Sequence, residues 1–235
     1  MTVELEDVTV QFGRTVALEG LNLTVAAGET VALALAIQPQ VLLLDEPLAA
    51  LDAQLRADML GEPQKLRREV PDVAILYVTH DQAEALALAD RIAVMRDARL
   101  VDIAPAADLY AAPPSAFTAS FLGGANLLPV ELAGDEVRLA GHPVLRAADD
   151  RVAKGKQLLV IRPHAIRLGE NGVPGRLVAA QWRGASSRLT CSIDGLPGVP
   201  VQVDVPADGR LPDVGSKVSL VLPAEACSLV AAEER

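Results

Sequence analysis

The sequence has few aromatic residues, few cysteines and a shortage of positive charge. Among 235 residues there are 3 phenylalanines, 2 tyrosines and 1 tryptophan, and 21 lysines and arginines stand against 31 aspartates and glutamates. The net charge of -10 argues against a nucleic-acid backbone or an anionic bilayer as the main partner, because both bind positive surfaces. The two cysteines, Cys191 and Cys227, have neither CxxC nor metal-ligand spacing, so we expect small apolar residues in a reducing compartment.

Long apolar runs are lacking as well. No stretch approaches the ~20 apolar residues that a membrane helix needs, so the sequence predicts no direct membrane insertion. The opening MTVELEDVTVQFG alternates charged and apolar residues, which predicts a strand rather than a signal peptide. With 51% hydrophobic and 22% charged residues, the composition is that of a globular protein. We therefore expect a cytoplasmic protein that reaches a membrane only through another protein.

The first half of the chain alternates strand and helix signals. Two short apolar runs, Val41–Asp45 and residues 73–80, predict strands that are covered on both faces. The segment between them has apolar residues at helical spacing, and the order strand, helix, strand predicts a right-handed parallel crossover. Gly61 and Pro63 lie inside that helix, which indicates either erosion of the segment or a helix broken in two.

The second half changes character. Asp81 and Glu84 have the spacing of a capping box and predict one more helix. Residues 105–129 contain a proline pair and a glycine pair, and we interpret them as the tail of a first domain and the linker to a second. Short strand candidates separated by Gly, Pro and Asp turns then predict a small antiparallel barrel. The predicted fold is α/β with a mostly parallel sheet over residues 1–125, followed by an all-β barrel over residues 126–235.

Acidic side chains follow the first apolar run. Asp45 and Glu46 stand at the carboxyl end of that strand, the edge at which α/β sheets bind ligands. At that edge Asp45 is suited to hold a Mg²⁺ ion that bridges two phosphates, and Glu46 to orient or deprotonate the attacking water. His80 ends the neighbouring strand, where a side chain can reach a terminal phosphate. An acidic pair alone is more often just the end of a strand, so the residues around Asp45 and Glu46 decide whether the pair is functional.

The run VLLLDEPLAALDAQLR, followed by ILYVTHDQAEALALADRIAVM, resembles the second half of an ABC-transporter ATPase in order and in spacing. The resemblance implies a P-loop NTPase-type core, with ATP and Mg²⁺ as cofactors. It makes Asp45 the magnesium-side acid of Walker B and Glu46 the catalytic glutamate. Asp52 matches the D-loop aspartate and His80 the switch histidine. The opening hairpin resembles the family's too, and it places Phe12 either on the adenine ring or, with equal weight, in the core.

The stretch IRPHAIRLG and its flanking strands resemble the TOBE domain, an OB-like barrel that follows the ATPase in importers of polyamines, ferric ion and phosphonates. His164 stands where such proteins usually have glutamate. The resemblance implies permease transmembrane subunits and a second ATPase subunit as partners, at the inner face of the cell membrane. Nucleic acid is not expected at this barrel, since Trp182 is its only aromatic residue and the chain is acidic.

Two motifs that the family requires are missing from the sequence. A phosphate loop needs GxxxxGK[ST], whose glycines let backbone N–H groups approach phosphate, but Gly155 and Lys156 form the only Gly-Lys pair and Gln157 follows them. The LSGGQ signature should precede Walker B. Its nearest likeness, residues 121–126, comes after it and matches the family's F-[LI]-G-x-x-N domain ending. The resemblance therefore indicates an in-frame deletion, with its junction near residues 33–35, that removed the phosphate loop, the glutamine loop, the helical subdomain and the signature.

Three functional interpretations follow from these observations. The first is an ABC-importer ATP-binding subunit by descent, which binds MgATP poorly and hydrolyses it negligibly. The second is a non-catalytic regulatory or assembly module that acts through the C-terminal barrel. The third is the unstable product of a damaged gene.

Overall fold

The structure is a computed structural model, and it describes residues 3–12, 15–26, 41–49, 51–52, 55, 73–146, 156–207, 209 and 211–232. The chain divides into two compact units. The smaller contains a hairpin of β1 (Val3–Phe12) and β2 (Thr15–Val25), which pair antiparallel as the alternating N-terminal sequence predicts. The larger contains everything described from residue 75 onward together with the described residues between 43 and 55.

The strands β3 (Val41–Asp45) and β4 (Ala74–Val78) are hydrogen-bonded neighbours. The backbone N–H of Glu46, one residue past β3, donates to the carbonyl of Val78 at 2.9 Å. The carboxyl ends of the two strands therefore lie side by side, as they do in a parallel pair. These ends carry the predicted site.

The prediction that β3 and β4 are covered on both faces is wrong for the strands as described. Alternate residues are exposed, and Leu43 and Leu76 are 69% and 58% accessible to solvent. The physical reason is that, among the residues described, only these two strands pair in this sheet, whereas burial of both faces needs flanking strands and crossover helices as in a larger α/β fold. The predicted crossover helix between them, with Gly61 and Pro63, lies largely outside the described residues.

The helix α1 (Gln82–Leu88) follows β4 and confirms the predicted helix start. Its N-cap is Asp81, whose carboxylate accepts hydrogen bonds from the N–H groups of Ala83 at 2.8 Å and Glu84 at 3.4 Å. The chain continues into the predicted hairpin of β5 (Arg91–Arg96) and β6 (Arg99–Pro105).

The segment that we interpreted as a tail and linker contains two short helices, α2 (Ala106–Ala111) and α3 (Ala116–Phe121). They pack on the β5–β6 hairpin through a buried cluster of five apolar residues: Ile92, Val94, Ala106, Leu109 and Leu122. The hydroxyl of Ser115 caps α3 by accepting from the N–H of Thr118 at 3.1 Å, and it donates to the Asp102 carboxylate of β6 at 2.6 Å. These contacts order a segment whose proline and glycine pairs suggest a plain connection.

The C-terminal strands form two antiparallel sheets, which confirms the predicted all-β part. β7 (Asn126–Ala133), β8 (Glu136–Leu139), β9 (His142–Arg146), β10 (Gln157–Ile161) and β15 (Cys227–Ala231) form one sheet in the order β15-β10-β7-β8-β9. β11 (Arg167–Trp182), β12 (Ser186–Ile193), β13 (Leu196–Pro206) and β14 (Lys217–Val221) form the other in the order β13-β12-β11-β14.

One hydrophobic core lies between these two sheets. Alternate residues point inward along β12 and the middle of β13, so that Leu189 and Cys191 of β12 and Val201 and Val203 of β13 are fully buried. Each fully buried leucine or valine contributes roughly 1.5–3 kcal/mol through the hydrophobic effect. This strict alternation explains why the strands were predictable from their sequence.

The side chain of Asn126 forms hydrogen bonds with the backbone of the edge strand β13. Its Nδ2 donates to the carbonyl of Gln202 at 2.8 Å, and its Oδ1 accepts from the N–H of Gln202 at 2.7 Å. Further along β13, the N–H of Asp204 donates to the carbonyl of Pro163 at 3.0 Å. These bonds satisfy backbone groups that an open sheet edge would leave unpaired. They also give the asparagine of the F-[LI]-G-x-x-N pattern a physical role.

An ion pair between Arg188 and Asp204 joins β12 to β13. The guanidinium donates from Nε and Nη2 to the two carboxylate oxygens at 2.7 and 2.6 Å. This bidentate hydrogen bond is the main reason why the pKa of Asp204 lies below its ordinary value. Because the folded state lowers this pKa, the pair adds stability above the pKa of an unfolded aspartate, and that stability is lost as the pH falls through the folded pKa.

The Asp204→Asn variant is therefore expected to lose about 1 kcal/mol of unfolding free energy at neutral pH relative to wild type, since half-exposed ion pairs are worth about that much. The difference should shrink as the pH falls through the folded pKa of Asp204, which lies below the ordinary aspartate value, because both chains then lack the charge. Urea denaturation at several pH values measures it. The exposed Asp194 provides the control, because Asp194→Asn should cost little at any pH. A cost for Asp204→Asn that is equal in acid and at neutral pH would contradict the assignment.

Candidate active site

Three of the predicted site residues lie at the carboxyl ends of β3 and β4. Asp45 is the exposed last residue of β3, and Glu46 follows it with a left-handed backbone at φ +43°. His80 lies two residues beyond the end of β4. Its Nδ1 is 3.0 Å from Oε1 of Glu46, so the structure brings these two side chains into hydrogen-bond contact. The left-handed conformation costs a non-glycine residue about 1–2 kcal/mol, and such strain is common at functional sites.

The hydrogen bond fixes which atom of the pair carries a proton. A carboxylate only accepts hydrogen bonds, so Nδ1 of His80 is the donor when Glu46 is ionised. The two side chains are largely exposed, with 75% of the His80 and 47% of the Glu46 side chain accessible. The pair is thus open to a reactant and able to orient a water or accept a proton from one.

Negative charge dominates the small cleft beside this pair. Its lining residues are Glu46, Ala49, Thr79, His80, Asp81 and Glu84. The described lining thus contains three carboxylates and neither lysine nor arginine. Carboxylate oxygens are ligands that suit Mg²⁺, but a triphosphate placed beside them meets like charge. The described lining therefore repels the phosphates of a nucleotide, while its Asp81 and Glu84 carboxylates already accept hydrogen bonds from within the chain.

The structure gives less information on the remaining predicted site residues, Asp52 and Phe12. The Asp52 carboxylate accepts from the N–H of Leu55 at 2.8 Å, which is a local cap at the start of the next turn. Phe12 ends β1, and its side chain lies outside the described residues, so both its adenine and its core interpretation stay open. Among the residues that the structure describes, no three His, Cys, Asp or Glu side chains converge as a metal site. The role of Asp45 as a magnesium ligand stays a prediction.

Sequence reasoning missed two residues that link this region to the barrel. Oε1 of Gln82, in the first turn of α1, accepts from the N–H of Gly123 at 2.9 Å. Arg162, at the end of β10, is only 7% exposed and donates to the carbonyls of Ala119 at 2.9 Å, Tyr110 at 2.6 Å and Leu122. Its guanidinium also lies 4.2 Å from the centre of the Tyr110 ring. Burial lowers the pKa of Arg162. Arg162 belongs to the IRPHAIRLG stretch, but nothing in the sequence indicates that its charge is buried.

Comparison with known proteins gives one family match and several relatives. Residues 159–230 match the TOBE domain. A Salmonella typhi protein, PhnT, named for 2-aminoethylphosphonate import and ATP binding, is 40% identical in an alignment of 202 residues that covers 81% of this chain and 54% of that protein. The sulfate/thiosulfate import ATP-binding protein CysA of Xanthomonas campestris is 37% identical over 80% of this chain and 54% of its own length. The Fe(3+) ions import ATP-binding protein FbpC of Rhizobium etli is 43% identical over 66% and 45%.

The chain spans about half the length of these curated relatives. A solved structure of the cytoplasmic molybdate-binding protein ModG covers 46% of this chain and 93% of its own, at 14% identity and a TM-score of 0.31, which is a loose likeness. Within the described ranges, no helix is long and apolar enough to cross a membrane.

Proposed function

The chain is related to the ATP-binding subunits of ABC importers and contains a TOBE domain, and on that premise we propose that it descends from such a subunit but binds MgATP poorly and hydrolyses it negligibly. An in-frame deletion near residues 33–35 accounts for the change. In the parent subunit, hydrolysis of ATP drives solute uptake through a permease.

The charge of the cleft is the observation that carries this proposal. The Glu46–His80 pair supplies groups that act on a water molecule, while Asp45 supplies an oxygen ligand for Mg²⁺. No described lysine, arginine or glycine-rich loop lines the cleft to hold the phosphates. The sequence has no GxxxxGK[ST] motif in which such a loop would be found. The site, as far as the structure describes it, thus contains residues that act on water and none that bind phosphate.

The partners of the parent subunit are permease transmembrane subunits and a second ATPase subunit at the inner face of the membrane. In the family, the helical subdomain docks the permease, and that subdomain belongs to the deleted part. Each ATP in the family lies between the Walker motifs of one subunit and the signature of the other. A pair containing this chain therefore has two incomplete nucleotide sites, whether the second subunit is identical or intact.

Equilibrium binding of MgATP to the purified chain tests the proposal. We expect no saturable binding up to millimolar nucleotide, because the triphosphate has like charge around it and no phosphate loop. The Asp45→Asn variant is the matched control and should likewise show no saturable binding of MgATP. Saturable binding at micromolar MgATP that Asp45→Asn abolishes would overturn the proposal.

A second candidate function is a non-catalytic module that acts through the barrel. The observation in its favour is the closed core between the two C-terminal sheets, whose inward leucines and valines are fully buried. A thermal-shift titration of the whole chain with sulfate, phosphate and a polyamine tests this candidate. A saturable rise in the unfolding temperature with one of them would support it, and unchanged unfolding with all of them would count against ligand sensing.

A further inference from the structure

The hydroxyl group of Thr79 forms hydrogen bonds that hold the backbone on both sides of His80. Oγ1 of Thr79, the residue before the histidine, donates to Oε2 of Glu84 at 2.7 Å. The same oxygen accepts a hydrogen bond from the backbone N–H of Asp81, the residue after the histidine, at 3.0 Å. The backbone on both sides of His80 is therefore tied to a single side chain.

Glu84 anchors that hydroxyl from the first turn of α1. Its residue is only 4% exposed, although it is a glutamate on a short helix. The phenol of Tyr77 donates to the same Oε2 atom at 3.1 Å. Burial, foremost, and this hydrogen bond raise the pKa of Tyr77 to about 12. A buried carboxylate needs such donors, and here they are the two hydroxyls that flank the end of β4.

The exposure of His80 shows why this anchoring matters. With 75% of its side chain accessible, the imidazole has little packing that could hold its orientation toward Glu46. Its 3.0 Å contact with Glu46 must then depend on where the backbone of the loop places it. We propose that Thr79 and Glu84 are positioning residues that hold His80 against Glu46. The significance of the pair for hydrolysis rests on the proposed descent, whereas the contacts that hold it belong to this chain itself.

The proposal has a spectroscopic consequence. A neutral imidazole free in water favours the tautomer with its proton on Nε2. Next to an ionised Glu46, which only accepts, the proton of neutral His80 must lie on Nδ1. The tautomer of His80 thus reports whether the loop presents the ring to Glu46, in the absence of any nucleotide.

Nitrogen NMR of the full chain at alkaline pH, where imidazoles are neutral, measures this tautomer. We expect wild-type His80 to be mainly the Nδ1–H form, and Glu46→Ala to restore the Nε2–H form. Thr79→Val and Glu84→Ala, which remove the two ends of the anchoring bond, should shift the ratio toward Nε2–H as well. Thr79→Ser and Glu84→Gln each keep the needed oxygen and should retain the Nδ1–H form.

Two results would overturn the proposal. One is a wild-type tautomer ratio in Thr79→Val or Glu84→Ala when Glu46→Ala changes it. The other needs no variant: the Asp81 amide should exchange slowly in the wild-type chain because it is bonded to Thr79, and rapid exchange would contradict that bond. Tight MgATP binding would overturn the proposed function instead and would leave both readouts in place, so the two failures are distinguishable.

Discussion

Replacing Arg162 by methionine is expected to lower the free energy of unfolding by about 3 kcal/mol or more, because a buried acceptor without a donor costs roughly 1–3 kcal/mol. Methionine keeps the length and apolar stem of the side chain but donates to none of the three carbonyls that arginine satisfies. The carbonyls of Tyr110 and Ala119 lie in the last turns of α2 and α3, and that of Ala119 also accepts from the N–H of Ala125 at 3.2 Å. The loss should therefore come mainly from the carbonyls of Tyr110 and Leu122. The variant should therefore loosen both helices from the barrel.

Urea denaturation of the whole chain measures this effect. Arg146→Met is the matched control, since the Arg146 side chain is 80% exposed and its pair with Asp135 is a long 3.8 Å. It should change stability by no more than about 0.5 kcal/mol. Arg162→Lys retains the charge but offers a single ammonium group in place of the several N–H donors of the guanidinium. Its free energy of unfolding should lie between those of Arg162→Met and Arg146→Met. An Arg162→Met chain as stable as Arg146→Met would show that water replaces the guanidinium freely.

Alanine at Gly175 is expected to destabilise the barrel by about 3 kcal/mol or more, at the upper end of what overpacking costs. An added Cβ atom at this position would lie 2.1 Å from the carbonyl oxygen of Ser192. That oxygen belongs to the backbone of β12, which is paired with β11 at this point, so it cannot move aside without disturbing the ladder. Gly175 also opposes Val218 of β14 in the register, so β11 lies between two paired strands and cannot move away from β12 freely.

The exposed Gly209 provides the control for this substitution. A Cβ atom there would have no neighbour within 4 Å, so Gly209→Ala should be neutral or slightly stabilising through the unfolded chain. Thermal unfolding monitored by circular dichroism compares the two variants directly. Equal unfolding temperatures for Gly175→Ala and Gly209→Ala would contradict the close approach of β11 and β12.

Features with local signals were predictable from the sequence. Asp81 and Glu84 predict the start of α1 because a capping signal involves only residues within one helical turn. The barrel strands alternate apolar and polar residues, and their inward positions follow from that alternation. The order of the two strands predicts that Glu46 and His80 lie at the same edge of the sheet, and the structure places both there, while their hydrogen bond is a finding of the structure.

Features that depend on distant residues were not predictable. The apolar run of β3 indicates a strand, but nothing within the run tells whether other elements cover its faces. Arg162 looks like a surface charge until two helices from an earlier part of the chain bring three carbonyls to it. Glu84 was expected as a capping residue, while its burial between the hydroxyls of Tyr77 and Thr79 depends on where β4 lies. The roles of Asp45, Asp52 and Phe12 in nucleotide binding stay predictions from resemblance.

The boundary between the two predicted domains at residues 125 and 126 also stays a prediction. The contacts around it are dense on both sides: Gly123 is bonded to Gln82, and Asn126 to Gln202. A flexible linker would leave such backbone groups to water. We therefore propose that residues 119–126 form a rigid connection between the helices α2 and α3 and the barrel.

Steady-state ATP hydrolysis by the purified chain tests most directly whether the parent activity has been lost. We predict that phosphate release by the wild-type chain equals that by Glu46→Gln and that of buffer, because Glu46 and His80 have no phosphate held beside them. A wild-type rate clearly above buffer that Glu46→Gln abolishes would show an active nucleotide site and would contradict the proposed loss.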